Sequence, residues 1–202
     1  IKKYSDYIRY PIQMMVEEQR RVEEETKEGE EEKEPKYETV MEEKTLNSMI
    51  PLWKREKAKI TEEEYNDFYK SKFNDYTDPQ KVIHFSVEGA VSFTSLLFIP
   101  GKTPMNYYSQ DYKKGLQLYS RGVFIMDNAE ELLPEHFRFV KGLVDSQDLS
   151  LNISREMLQH DRQLKVIANR IEKKIKSELL LMLKNEREEY EKFWQNFGVQ
   201  IK

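Results

Sequence analysis

The stretch Ser154-Arg155-Glu156-Met157-Leu158-Gln159 has residue types at a spacing that can serve an anion. Ser154 is a natural N-cap for the apolar-periodic segment that follows, which makes Arg155 the first helical residue. A helix N-terminus carries partial positive charge, so a cation there is unfavourable by roughly 0.3–1 kcal/mol. An arginine in that place suggests an anionic partner from outside the helix. Successive residues advance by about 100° around a helix, so Arg155, Gln159 and Arg162 project within a narrow arc. Met157, Leu164 and Ile171 line the opposite side. First-turn backbone N–H groups, a guanidinium and an amide would together suit a terminal phosphate. A second reading stays open on spacing alone: Arg155 pairs with a nearby carboxylate such as Asp148 or Glu156.

Other residues carry weaker signals. The loop GKTPMNYYSQDYKKG places Met105, Tyr107, Tyr108 and Tyr112 close together. Methionine is adaptable and tyrosine tolerates both water and burial, so this loop could present apolar surface to unfolded chains. It could equally pack on a sheet edge. Trp53, in the turn Pro51-Leu52-Trp53, reads by composition as a packed anchor. His84, His136 and His160 have no metal-ligand spacing. Ser154 lacks a histidine base and is explained as a cap. The chain contains no cysteine, which excludes a disulfide scaffold, a thiolate metal site and a cysteine nucleophile. It also fits a reducing, cytoplasmic setting.

These residues need a scaffold. The chain has 202 residues, 38% of them hydrophobic and 12% aromatic, enough for a core of one domain with a helical extension. The net charge of -4 argues against a dedicated nucleic-acid binder. No apolar run approaches the roughly 18 residues of a membrane helix. The start at Ile1, without an initiator methionine, reads as an excised piece of something longer.

Residues 1–9 read as a short amphipathic helix stopped by Tyr10-Pro11. Strands are expected over 12–16 and 36–41, joined by an acidic, solvated loop at about 23–35. Thr61 and Glu64 form a capping box ahead of a helix that shows Tyr65, Phe68, Tyr69 and Phe73 on one side. Val82–Val87 with Val91–Ile99, and Leu116–Tyr119 with Val123–Met126, are the clearest strand pairs. Short helical pieces are expected over 130–133 and 134–143, and a loop over 143–153. A long helix from Ser154 shows Met157, Leu164, Ile167, Ile171, Ile175, Leu179 and Met182 on one face, with His160 near it. A second helix spans 186–196, with Gly198 as its C-cap. The fold class is α/β: a layered sandwich over 1–153, then helices over 154–202.

Several of these motifs, in order, resemble one family. VKGLVDSQDLSLNISREMLQHDRQLKVI from Val140 is similar to the catalytic-loop region of the ninety-kilodalton heat-shock chaperones, in a bacterial version. PLWKREKAKITEEEYNDFYK from Pro51, IKKYSDYIRYPI at the start, VIHFSVEGAVSFTSLLFIP from Val82 and GLQLYSRGVFIMD from Gly115 resemble it too. The resemblance covers nearly the whole chain and points to the middle domain. It implies an α/β/α sandwich like the second domain of ribosomal protein S5, followed by a helical coil. It implies that ATP with Mg²⁺ binds in a separate N-terminal domain, and that homodimerisation rests on another domain. On the motif match, Arg155 reaches the γ-phosphate, while Gln159 and Asn152 position the closed site. Trp53 is implicated in sensing client protein. The segment is then inactive alone but part of an ATPase that handles unfolded proteins in a stress response.

One departure falls after the FIP motif. Many relatives have Ala-Pro-Phe-Asp there, where this chain has Gly101-Lys102-Thr103-Pro104-Met105-Asn106. The rival reading is a non-catalytic interaction module that uses the acidic run, Trp53 and the aromatic loop. A topoisomerase or mismatch-repair relative would use a lysine for the phosphate and would bind DNA. The SREMLQ match and the net charge of -4 argue against it.

Overall fold

The computed structural model describes residues 10–21, 37–47, 49–149 and 162–201. The helix expected over 1–9, most of the acidic loop, and the segment with Asn152, Ser154, Arg155, Gln159 and His160 lie outside them. The chain divides into two compact units, Ile1–Ile50 and Pro51–Lys202. The boundary expected at 153/154 falls in the undescribed segment.

The first unit is an antiparallel ribbon. β1 (Gln13–Arg21) pairs with β2 (Tyr37–Thr45) from Gln13 opposite Thr45 to Arg21 opposite Tyr37. Both strands run beyond the expected 12–16 and 36–41. The apolar pattern stops at Val16, but backbone pairing continues through glutamates that only need solvent. The open end is closed by the buried Asn47. Its Oδ1 accepts from Ile12 N–H at 2.8 Å, and its Nδ2 donates to the Tyr10 carbonyl at 2.9 Å. Met14, Met15, Val40 and Met41 are exposed.

The second unit begins with a 3-10 turn at Leu52–Lys54. α1 (Glu62–Phe73) starts on the expected capping box: Glu64 N–H donates to Thr61 Oγ1, and Thr61 N–H donates to the Glu64 carboxylate. Its Tyr65 and Tyr69 are buried. A five-stranded sheet follows, built from β3 (Pro79–Val87), β4 (Phe93–Pro100), β5 (Leu116–Ser120), β6 (Val123–Ala129) and β7 (Lys141–Ser146), in the order β3-β4-β7-β5-β6. All pairings are antiparallel except β5 with β7. α2 (Arg162–Asn185) and α3 (Arg187–Ile201) complete the unit.

The sheet is buried on both faces. Along β4, Leu97 and Ile99 join the main core with Leu164, Ile167, Ile171 and Ile175 of α2. The alternate residue Phe98 meets Phe68, Tyr69 and Phe73 of α1 at ring-centroid distances of 5.1–6.2 Å. Period-two alternation therefore delivers one set of side chains to each helical layer, which is the expected α/β sandwich. The apolar stripe expected on the long helix is the buried face of α2, from Leu164 to Met182.

Three expectations are corrected. The segment 134–143 is not helical beyond one 3-10 turn at Glu135–Phe137. The start of the expected loop 143–153 is β7, the central strand. A short strand covered on both faces shows no alternation, so it lacks the usual pattern. Gly198 does not end a helix: α3 runs through it to Ile201. It serves close packing instead, since a Cβ there would lie 2.7 Å from Trp194 Cδ2.

Gly142 of β7 lies against β4 at φ +147°, and a Cβ there would collide with the Leu96 carbonyl oxygen and, at 2.8 Å, with Leu97 Cα. Both neighbours are backbone and cannot turn aside. Gly142→Ala is expected to cost about 2–4 kcal/mol. A drop in the urea midpoint at unchanged slope checks this.

Candidate functional site

The end of β7 is where polar chemistry enters an otherwise apolar sheet. Asp145 is 3% exposed. Its Oδ2 accepts from the Trp53 indole N–H at 3.0 Å and from Lys54 Nζ at 2.8 Å. Its Oδ1 accepts from Gly122 N–H at 3.0 Å. A buried carboxylate is tolerated only when paired and hydrogen-bonded in this way. Trp53 is itself 1% exposed, packed on Tyr119 at 4.9 Å and Phe68 at 6.2 Å.

The donor from Gly122 comes from a two-residue turn in which Arg121 (φ 53°) and Gly122 (φ 83°) are both left-handed. That geometry suits the twist of the β5–β6 hairpin, and it is uncommon for an arginine. The turn also grips the chain beyond β7. Arg121 N–H donates to the Ser146 carbonyl at 3.2 Å, and Arg121 Nε donates to the Gln147 carbonyl at 3.1 Å. Ser120 Oγ donates to the buried Leu149 carbonyl at 2.7 Å. From the start of β4, Ser92 N–H donates to Asp148 Oδ2 at 2.6 Å, and the Ser92 carbonyl accepts from Ser146 Oγ at 2.8 Å. Asp148 is thus engaged with backbone, which bears on the reading that paired it with Arg155.

Beside Trp53 lies an open cleft of about 530 Å³, lined by Lys54, Arg55, Lys57, Ser86, Thr94 and Gln147 among others. Two of its cations are paired, Lys54 with Asp145 and Arg55 with Glu64 at 2.8 Å. His84 lies at its floor, with Nε2 3.0 Å from the Trp53 carbonyl and Nδ1 2.7 Å from the Tyr65 hydroxyl. A carbonyl only accepts, so the neutral ring carries its proton on Nε2 and receives the Tyr65 O–H at Nδ1.

The aromatic loop divides into two roles. Tyr107 is fully buried against Tyr112 at 5.0 Å and Phe197 at 5.9 Å. The Arg138 guanidinium lies over both tyrosine rings, at 5.4 and 5.1 Å. Lys141 Nζ sits 4.6 Å from the Tyr112 ring centre. Such cation–π contacts are stronger when desolvated. Burial pushes the Tyr112 phenol up to about 12. Met105 and Tyr108 stand out from this packed base, Met105 fully exposed and Tyr108 67% exposed.

Of the residues singled out in the sequence, Trp53 and Tyr107 are therefore buried anchors. Neither side chain is exposed in this arrangement, whereas both were expected among the client contacts. Met105 and Tyr108 are accessible. Asn152, Arg155 and Gln159 lie outside the described residues, three to ten positions beyond Leu149. The sequence reading missed Asp145, Ser120 and Arg121. An Arg-Gly pair between two short strands was the available signal for the turn, but nothing local marks which carbonyls it binds. Among the described residues, no group of three or more His, Asp or Glu side chains is arranged to hold a metal ion. No described helix is long and apolar enough to cross a membrane.

A sheet with helices packed on both faces, followed by helices, is what the resemblance implies. The profile of the Hsp90 protein family matches residues 1–202. The chain belongs to the Hsp90 family. The chaperone protein HtpG of Oceanobacillus iheyensis is 54% identical over all 202 residues. HtpG of Alkaliphilus metalliredigens is 55% identical and that of Bacillus subtilis 53%, over the same length. The chain spans 31% of the length of each of these relatives. The middle domain of a Plasmodium falciparum heat-shock protein superposes with a TM-score of 0.65 at 32% identity, over 75% of this chain and 58% of that one. The segment is thus an Hsp90-type chaperone middle domain with an α/β fold followed by helices.

The His84 environment has a pH consequence. Burial holds the imidazole below its ordinary pKa, the nearby Lys57 charge adds to this, and the Trp53 carbonyl opposes it. The unfolded chain then takes up the proton first. Stability is full above the unfolded value of about 6.5 and is lost as pH falls through it toward the folded value. Denaturant midpoints of the native chain should fall between pH 7 and 5.5, with a weaker slope in His84→Gln. Identical slopes would exclude His84 as the cause.

Proposed function

We propose that this segment works within a longer ATP-dependent chaperone and donates Arg155 to the γ-phosphate of ATP held by a separate N-terminal domain. The reading is carried by the SREMLQ motif standing just beyond the clamped end of the central strand, in a chain of the Hsp90 family. Arg155, Gln159 and Asn152 are a guanidinium and two amides. That donor set fits phosphate oxygens and contains no carboxylate for Mg²⁺. ATP with Mg²⁺ supplies the phosphoryl group and its leaving group when bound, mainly on the N-terminal domain.

The part of this chain is electrostatic. The guanidinium meets charge that develops on the transferring group, and such arginines can be worth about 10³–10⁵ in rate. A smaller effect is expected here, because domain closure limits the cycle and Arg155 also helps to hold the closed state. Gln159 and Asn152 orient the closed site. The segment alone is not an enzyme. The working protein is a homodimer through another domain, acts on unfolded or partly folded clients, and is cytoplasmic. It needs neither nucleic acid nor membrane.

Client contact is assigned to Met105 and Tyr108, the exposed members of the aromatic loop. That exposure also favours the second reading, a non-catalytic interaction module that uses this loop and the acidic run of 23–35.

Two measurements separate the readings. In the full-length protein, Arg155→Ala should lower ATP turnover at least roughly tenfold with ATP affinity retained. Unchanged turnover would remove Arg155 from the reaction. The isolated segment should show no hydrolysis, and a separately made nucleotide domain should turn over faster when it is added. No stimulation and no nucleotide-dependent association would favour the interaction module.

A further inference from the structure

The chain carries eight methionines and no cysteine, so all of its oxidisable sulfur is thioether. A thioether is oxidised where an oxidant can reach the sulfur, so its rate follows exposure. The described methionines of the second unit stand at two extremes. Met182 of α2 and Met126 of β6 are buried in the core, whereas Met105 is fully exposed. In the first unit, Met14, Met15 and Met41 are about half exposed.

The exposure of Met105 is built into the loop. Met105 occupies the second position of a turn in which Tyr107 N–H donates to the Pro104 carbonyl at 3.0 Å. The last residue of that turn is the buried Tyr107, held against Tyr112, Phe197 and Arg138. On the other side, Thr103 Oγ1 donates to the Asn196 carbonyl of α3 at 3.0 Å, and Asn196 Nδ2 donates to the Gly101 carbonyl at 3.3 Å. Met105 therefore stands at a corner with an anchor two residues away on either side. Exposed Tyr108 follows the buried anchor directly, so an apolar tip is presented on a fixed base.

We propose that Met105 is a reversible modification site, oxidised by hydroperoxides to the sulfoxide, and that this change switches off the apolar tip of the aromatic loop. The second half rests on the reading that Met105 and Tyr108 contact client protein. In the oxidation, the sulfur lone pair attacks the terminal oxygen of the hydroperoxide. An S–O bond forms and the O–O bond breaks. Sulfur gives up two electrons, and the proton of the transferred hydroxyl passes to the departing oxygen, which leaves as water or an alcohol. The flexible apolar side chain becomes polar, and a sulfoxide reductase supplied with a dithiol reverses the change.

The test treats the full-length protein with hydrogen peroxide and follows each methionine by peptide mass spectrometry. Met105 should convert at least about tenfold faster than Met126 and Met182, and ahead of Met14, Met15 and Met41. Conversion no faster than that of Met182, or behind any of the half-exposed methionines, would overturn the site. Client affinity is measured on reduced, carboxymethylated lactalbumin before and after the same treatment. It should fall on the order of fivefold in the native chain and recover with the reductase. In Met105→Leu, which has no sulfur there, the ratio of affinities before and after peroxide should stay near one. An equal fall in that variant would overturn the switch, since the loss would then come from another methionine. Met105→Gln, measured without peroxide, judges the underlying reading separately. A client affinity equal to that of the native chain would overturn that reading and the switch with it, while the oxidation rates still decide the site.

Discussion

The second unit is organised around one buried charge. Asp145 takes a carboxylate into the sheet, and three donors from two places in the chain answer it: the Trp53 indole and Lys54 ammonium of one turn, and the Gly122 amide of another. Removing one partner of a buried pair typically costs about 3–5 kcal/mol, because the remaining charge stays desolvated. The turn before α1, the β5–β6 turn and the central strand are thereby fixed to one another by a requirement that packing alone would not impose. Apolar contacts tolerate small sliding. A carboxylate with directional donors does not.

From that point the fold separates two jobs. The helical layers bury α1 on one face of the sheet and α2 with α3 on the other. The polar layer lies along the end of β7, where the chain departs toward the SREMLQ segment. The aromatic loop is built on a third principle. Its base is closed by Tyr107, Tyr112 and Arg138, and Met105 and Tyr108 are its exposed large apolar side chains. Two exposed side chains are thus mounted on a packed pedestal.

Much of this was legible in the sequence because it follows from periodicity and capping. The Thr61–Glu64 box, the strand pairs around 88–92 and 121–122, and the apolar stripe from Leu164 to Met182 are local patterns with local causes. The failures have a common origin in tertiary context. β7 is covered on both faces and carries a glycine for close approach, so its six residues show no alternation. β1 and β2 outrun their apolar residues because pairing, not burial, extends them. Tyr107 and Tyr108 are adjacent and chemically identical, and it is Tyr107 that meets Tyr112, Phe197 and Arg138, partners distant in sequence or invisible to local pattern. Asp145 looks like a loop acid until the indole opposite it is seen. Nothing local in the sequence marks the buried Ser120 hydroxyl that holds the Leu149 carbonyl.

The two tryptophans stand in unlike surroundings. Trp53 is sealed and its indole N–H is committed to a carboxylate, whereas Trp194 stacks on Tyr190 at a half-open helix surface. Their intrinsic emission would therefore differ in wavelength and in access to a soluble quencher. The molecule carries its own optical gauge, in which the shielded component reports the state of the sheet's charged centre and the accessible one reports the last helix.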